Sequence, residues 1–136
     1  YNLNALNFTP MLSNVKVLIV DDEPNILMSL EFLMKKEGYR VFIARDGEEA
    51  FDIIKSEVPD VVLLDIMMPK VDGYQVCQFI KTTSDYSHAK VIFMSAKSKE
   101  GDIKKGIDLG ADLYISKPFS TRDLLSKVNA MALSTI

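Results

Sequence analysis

Val15-Lys16-Val17-Leu18-Ile19-Val20-Asp21-Asp22-Glu23-Pro24-Asn25 is the stretch that decides the fold class. Residues 15–20 are nearly all apolar, the pattern of a strand buried on both faces, which is the habit of parallel sheets covered by helices. Acidic residues stop the run, and Pro24 suits a first helical turn. Leu27, Leu30 and Met34 then fall at i, i+3 and i+7 and mark a helix that stops near Gly38.

The same alternation continues outward. Residues 39–44 have the aromatic and β-branched content of a strand, Asp46-Gly47 makes a turn, and Ala50, Ile53, Ile54 and Val58 give the next helical stripe, ended by Pro59. Residues 60–64 carry the most hydrophobic strand. Residues 66–73 read as a loop, 74–81 as a helix and 91–94 as a fourth buried strand. A shorter helix spans 101–109 with Ile103 and Ile107 on one face and Gly110 just past its end. A fifth strand at 112–116 precedes Lys117-Pro118-Phe119 and a last helix marked by Leu124, Leu125, Val128, Met131 and Ala132. Five strands alternating with five helices predict an α/β, doubly wound, five-stranded parallel sheet, because parallel strands need crossover connections.

Composition narrows the function classes. The 136 residues suit one domain, and 48% hydrophobic with 26% charged residues argues against disorder. A membrane-spanning helix needs roughly 18 or more apolar residues in a row, and the longest runs here are four or five. The net charge of −3 disfavours direct nucleic-acid binding, which needs a basic face. A lone cysteine, Cys77, excludes an intrachain disulfide or a thiolate zinc cluster, and a lone histidine, His88, excludes a His-rich metal site. Residues 1–10 are Asn-rich without periodicity and are expected to be a tag, scar or linker ahead of a native start at Met11. The expected location is cytoplasmic, with no membrane association.

In doubly wound sheets the ligand site lies beyond the carboxyl ends of the strands. There the chain places Asp21 and Asp22 after the first strand, Asp65 after the third, Ser95 after the fourth and Lys117 after the fifth. Taken singly, each has an ordinary explanation as a turn former or helix cap. Together they bring three carboxylates, a hydroxyl and an ammonium to one rim. Clustered carboxylates repel unless a cation or raised pKa values relieve the field. Oxygen-only donors favour Mg²⁺, with Mn²⁺ as the substitute, and Mg²⁺ typically shares its site with a phosphate. Lys117 and Ser95 suit phosphoryl oxygens, and Asp65 suits a nucleophile that becomes an aspartyl phosphate.

These residues, in this order, resemble the receiver domain of bacterial two-component response regulators. The matching pieces are Leu18-Ile19-Val20-Asp21-Asp22-Glu23-Pro24, Leu63-Leu64-Asp65-Ile66-Met67-Met68-Pro69, Asp72-Gly73, Met94-Ser95-Ala96, and Gly110-Ala111-Asp112 through Lys117-Pro118-Phe119. The resemblance covers essentially all of residues 15–133. It implies a flavodoxin-like strand order 2-1-3-4-5 and phosphoryl transfer to Asp65 from a histidine kinase or phosphotransfer protein. It also assigns Mg²⁺ to Asp22, Asp65 and the backbone carbonyl of Met67, with Asp21 acting mainly through water. Ser95 and Lys117 match the phosphoryl-contacting hydroxyl and lysine, the Lys117–Pro118 bond is expected to be cis, and Tyr114 matches the switch aromatic. On this reading a phosphoryl group draws Ser95 toward it, Tyr114 turns into the vacated space, and the face made by 101–109, 112–116 and the last helix changes for a downstream effector or a homodimer partner. The alternative for Tyr114 is an amphipathic edge residue with its hydroxyl in water.

Side chains near the phosphoacceptor affect phosphoryl lifetime in that family, so Met67 and Lys97 are expected to hinder an attacking water and lengthen it. Met67-Met68 otherwise reads as loop packing, Cys77 as a buried small hydrophobe and His88 as a surface residue. Lys97, Lys99, Lys104 and Lys105, interrupted by acids, read as a solvated helix face. Three rival readings fit the residues less well. A haloacid-dehalogenase-type phosphohydrolase needs a second Asp where Met67 stands. A flavin binder needs a Gly, Ser and Thr-rich phosphate loop where Asp21-Asp22-Glu23 stands. A pseudo-receiver, acting as a phosphorylation-independent interaction module, usually lacks one of the key Asp or Lys residues. No output domain follows Ile136 in this chain, so a stand-alone regulator and a piece of a larger one both fit.

Overall fold

The structure is a computed structural model that describes residues 12–96 and 100–135. The expected tag at 1–10, the Met11 start and the residues Lys97 and Lys99 lie outside them. Five strands form one sheet, β1 (Lys16–Val20), β2 (Arg40–Ala44), β3 (Val61–Asp65), β4 (Lys90–Ser95) and β5 (Leu113–Ser116), all parallel and in the order β2-β1-β3-β4-β5. Five helices connect and follow them: α1 (Pro24–Glu37), α2 (Gly47–Glu57), α3 (Gly73–Thr82), α4 (Glu100–Asp108) and α5 (Thr121–Leu133). The doubly wound sheet and the strand order implied by the resemblance are both present.

Alternation along each strand builds two cores. Leu18 and Val20 of β1, Val62 and Leu64 of β3, and Val91 and Phe93 of β4 face α2, α3 and α4. Val17 and Ile19, Val61 and Leu63, and Ile92 and Met94 face α1 and α5, where they meet Leu27, Leu30, Met34, Leu124 and Val128. Every residue of β3 is buried, which explains why its sequence is a continuous apolar run with no polar alternation.

Local signals set the helix ends. Asp46 caps α2 by accepting from the Glu49 amide, Ser120 caps α5 by accepting from the Asp123 amide, and Asp72 and Gln75 form a reciprocal capping box on α3. α1 differs: it starts on Pro24 with no side-chain cap, so the acids before it are left for other work.

Two apolar stripes end differently from their sequence reading. Val58 leaves the α2 stripe for a left-handed φ of 50° and is partly exposed, because Pro59 disfavours helical backbone in the residue before it. In α4, Ile107 is 48% exposed, and Gly106 is the one buried residue among those described in that helix. The missing side chain of Gly106 lets α4 lie close on Phe93: a Cβ there would be 3.0 Å from the Phe93 ring.

Candidate functional site

The sheet order reverses between β1 and β3, which opens a crevice at their carboxyl ends. Asp21 directly follows β1 and is fully buried, Asp65 ends β3 and is buried, and Asp22 is exposed at the rim. One carboxylate oxygen from each lies within 4.8 Å of the others. A cleft of about 260 Å³ is lined by Asp22, Glu23, Asp65, Met67, Ser95, Ala96 and Lys117. All the site residues named from the sequence except Tyr114 therefore meet at one rim, and Tyr114 stands directly behind it.

Asp21 is held by the protein through both oxygens. Oδ1 accepts the Glu23 amide at 2.9 Å, and Oδ2 accepts the Lys117 ammonium at 2.8 Å. Lys117 also stands 3.7 Å from Asp65 Oδ1, and its peptide bond to Pro118 is cis, as expected. Burial alone would pull the Lys117 pKa down, but its hydrogen bond to Asp21 and the charges of Asp65 and Asp21 leave it raised. Asp65 is pushed from its ordinary 3.8 up to about 6. Burial is the largest cause and the charge of Asp21 the next, opposed by Lys117 and by the Met67 amide, which donates to the carboxylate.

Among the described residues these three carboxylates share one nearby ammonium, and burial together with the neighbouring negative charge raises the pKa of Asp65. A hard divalent cation is the group that this donor set fits, since all the side-chain donors are oxygens and two of them are buried. Asp22 and Asp65 are the carboxylates available to hold it directly, because the protein already engages both oxygens of Asp21.

Ser95 ends β4 on the same side of the sheet as Phe93, and on β5 Tyr114 and Ser116 face that side. Ser95 lies near enough to Tyr114 to act on the phenol. Tyr114 is half-buried, with its ring 6.1 Å from that of Phe93. Desolvation raises its phenol pKa, and the neighbouring Ser95 side chain opposes the rise. β5 lies at the edge of the sheet, as expected.

The two methionines part: Met68 is packed and Met67 is 57% exposed at the cleft. Cys77 is buried as expected, and burial pushes its thiol up to about 11. His88 is exposed, 3.7 Å from Asp60.

Gly73 is named in the sequence only as part of the Asp72-Gly73 match, with no packing role. Its amide donates to the Ile66 carbonyl at 2.9 Å, and a Cβ there would be 2.3 Å from the Asp65 carbonyl oxygen. The α3 terminus can therefore press on the strand end that carries Asp65 only if residue 73 is glycine. Sequence reading missed Gly106, although a glycine inside a helix costs roughly 1 kcal/mol against alanine and is itself a signal of close packing.

With this geometry in hand, the comparisons are specific. The model of the response regulator receiver domain matches residues 17–129. The receiver domain of Francisella response regulator 1452 is 31% identical with a TM-score of 0.83, over 90% of this chain and 100% of that one. The BeF3-activated DrrB receiver domain is 33% identical with a TM-score of 0.79, over 86% and 96%. The signal receiver domain of a signal transduction histidine kinase from Syntrophus aciditrophicus is 30% identical with a TM-score of 0.81, over 88% and 91%.

Proposed function

The chain belongs to the response regulator receiver domain family, and from that membership we propose that it is a phosphoacceptor switch whose reacting group is Asp65. The observation that carries the reading is the convergence on Asp65 of Lys117, at 3.7 Å, and of the Asp21 and Asp22 carboxylates. A carboxylate oxygen of Asp65 attacks phosphorus. The nitrogen–phosphorus bond of a phosphohistidine on a kinase or phosphotransfer protein breaks, and its electron pair stays on the imidazole. Lys117 holds the phosphoryl oxygens as a point charge, and the Ser95 hydroxyl donates a hydrogen bond to one of them. A divalent cation, Mg²⁺ or Mn²⁺, held by Asp22, Asp65 and the Met67 backbone carbonyl with Asp21 acting through water, would neutralise charge on those oxygens. The protein turns over no outside substrate; it transfers the group only to itself and loses it slowly to water.

The output reading rests on the nearness of Ser95 to Tyr114. Phosphoryl oxygens on Asp65 compete for the Ser95 hydroxyl, so modification changes what holds Tyr114 and shifts the population of the α4–β5–α5 face. A downstream effector or a second copy of the chain reads that face. The same reading puts the protein in the cytoplasm with its phosphodonor; among the described residues no helix is long and apolar enough to cross a membrane.

Intact mass after incubation with acetyl phosphate tests the proposal, with Mg²⁺, with EDTA, and with Asp65→Asn alongside. One Mg²⁺-dependent phosphoryl adduct, absent in the variant, is the expected result. No adduct, with no Mg²⁺-dependent thermal shift either, would overturn it in favour of a phosphorylation-independent interaction module.

A further inference from the structure

Tyr74, the second residue of α3, is buried, yet the phosphoryl chemistry gives it no task. Its hydroxyl donates to the Asp102 carbonyl at 3.3 Å, and the Lys105 ammonium lies 4.3 Å from its ring centroid. Its ring meets Phe93 edge-on at 5.6 Å, and Phe93 in turn meets Tyr114. Asp102 and Lys105 both belong to α4. On its other side Tyr74 follows Gly73, whose backbone presses on Asp65 and Ile66. One residue thus separates the phosphoacceptor strand from a side chain that grips α4 in two ways.

α4 needs such a grip. It has nine residues, too few for a helix to persist on its own in water. Gly106 supplies close contact but no side chain to bury, and Ile107 points its apolar surface to solvent. Tertiary contacts therefore decide how firmly α4 is held, and the Tyr74 pair is the part of them that leads back to Asp65.

We propose that Tyr74 is a positioning residue that clamps α4 to the phosphoacceptor segment through Asp102 and Lys105, so that a shift of that segment is carried to α4. The regulatory half of this inference rests on Asp65 being the phosphoacceptor; the clamp itself does not. Burial makes the hydroxyl bond worth more than an exposed one, and the ring-on-ammonium contact adds a second attachment one turn further along.

Tyr74→Phe removes the hydroxyl bond and keeps the ring, while Lys105→Met removes the cation from an exposed position and leaves the core intact. Backbone amide exchange of the whole chain is then read by mass spectrometry, metal-free and with Mg²⁺ plus beryllofluoride. Metal-free, the α4 amides of each variant are expected to exchange about fivefold faster, the factor one hydrogen bond of ordinary net strength supplies. Amides of β1 and β3 should keep the wild-type rate. The α4 protection change caused by Mg²⁺ and beryllofluoride should shrink at least about twofold. Unchanged α4 exchange in both variants would overturn the proposal, as would acceleration spread evenly over α4, β1 and β3. If wild type shows neither an acetyl phosphate adduct nor a beryllofluoride response, the phosphoacceptor reading fails alone. The metal-free comparison still decides the clamp.

Discussion

Lys117 donates to Asp21 at 2.8 Å across 96 positions of sequence, and Asp21 has no exposure to solvent at all. Lys117 is therefore the counter-ion of a buried carboxylate as well as a group aimed at the cleft. Removing it by Lys117→Met leaves Asp21 without its ammonium and should cost about 2–3 kcal/mol of metal-free stability. The same loss makes the cleft more negative, so Mg²⁺ should bind the variant more tightly than it binds wild type. Urea unfolding with and without Mg²⁺ reads both effects, and a weaker Mg²⁺ response in the variant would contradict this electrostatic account.

Asp65 should make the metal-free protein less stable at neutral pH than it would be with a neutral side chain. Its folded pKa, about 6, lies above the ordinary 3.8, so the folded state binds the proton more tightly than the unfolded chain does. The stabilisation from that proton is fully present below about pH 4 and is lost as pH rises through about 6. Asp65→Asn escapes the loss and should be more stable than metal-free wild type at pH 7.5 by up to about 3 kcal/mol. The gap should close toward pH 4. Saturating Mg²⁺ should stabilise wild type far more than the variant, by mass action. Equal stability curves for the two proteins across pH 4–7.5 would count against the buried charge.

Gly73→Ala should be among the most damaging small substitutions in the chain. Its Cβ would sit 2.3 Å from the Asp65 carbonyl oxygen and 2.8 Å from the Ile66 Cα, both backbone atoms that cannot rotate away. A cost of about 2–3 kcal/mol is expected from overpacking. The phosphoryl adduct should fall with it, because the strand end that carries Asp65 must move. A thermal shift and the intact-mass assay together check this.

Met67 is 57% exposed and lines the cleft beside Asp65. As a bulky apolar cover it should slow water reaching the aspartyl phosphate, so Met67→Asn should shorten the phosphoryl lifetime, by about tenfold if the barrier falls by the usual 1.4 kcal/mol per decade. Phosphate release from the isolated adduct measures it. An unchanged rate would remove Met67 from the account.

Much of this was legible because the physics involved is local. Strands buried on both faces must be apolar throughout, so residues 17–20, 61–64 and 91–94 announce themselves. A parallel sheet must send each strand into a crossover, so the residues just after those runs share one rim, and Asp21, Asp65, Ser95 and Lys117 could be grouped before any coordinate was known. Cap chemistry at Asp46, Asp72 and Ser120 is equally short in range. Val58 and Ile107 belong to apolar stripes yet are partly exposed, because an apolar residue at helical spacing does not reveal where its helix stops or how closely it is held.

Strands, helices, the sheet class and the set of groups at the rim can be read from the chain alone, since each follows from periodicity, turn chemistry and the obligatory crossover of parallel strands. Packing of the helices on the sheet set which oxygen of Asp21 meets Lys117, the nearness of Ser95 to Tyr114, and the reach of Tyr74 to Asp102 and Lys105. It also decided that residues 73 and 106 must be small. These contacts join residues far apart in the chain, across gaps of a few ångströms set by how helices seat on the sheet. Their strength comes from burial, which removes competing water and is a property of the assembled fold.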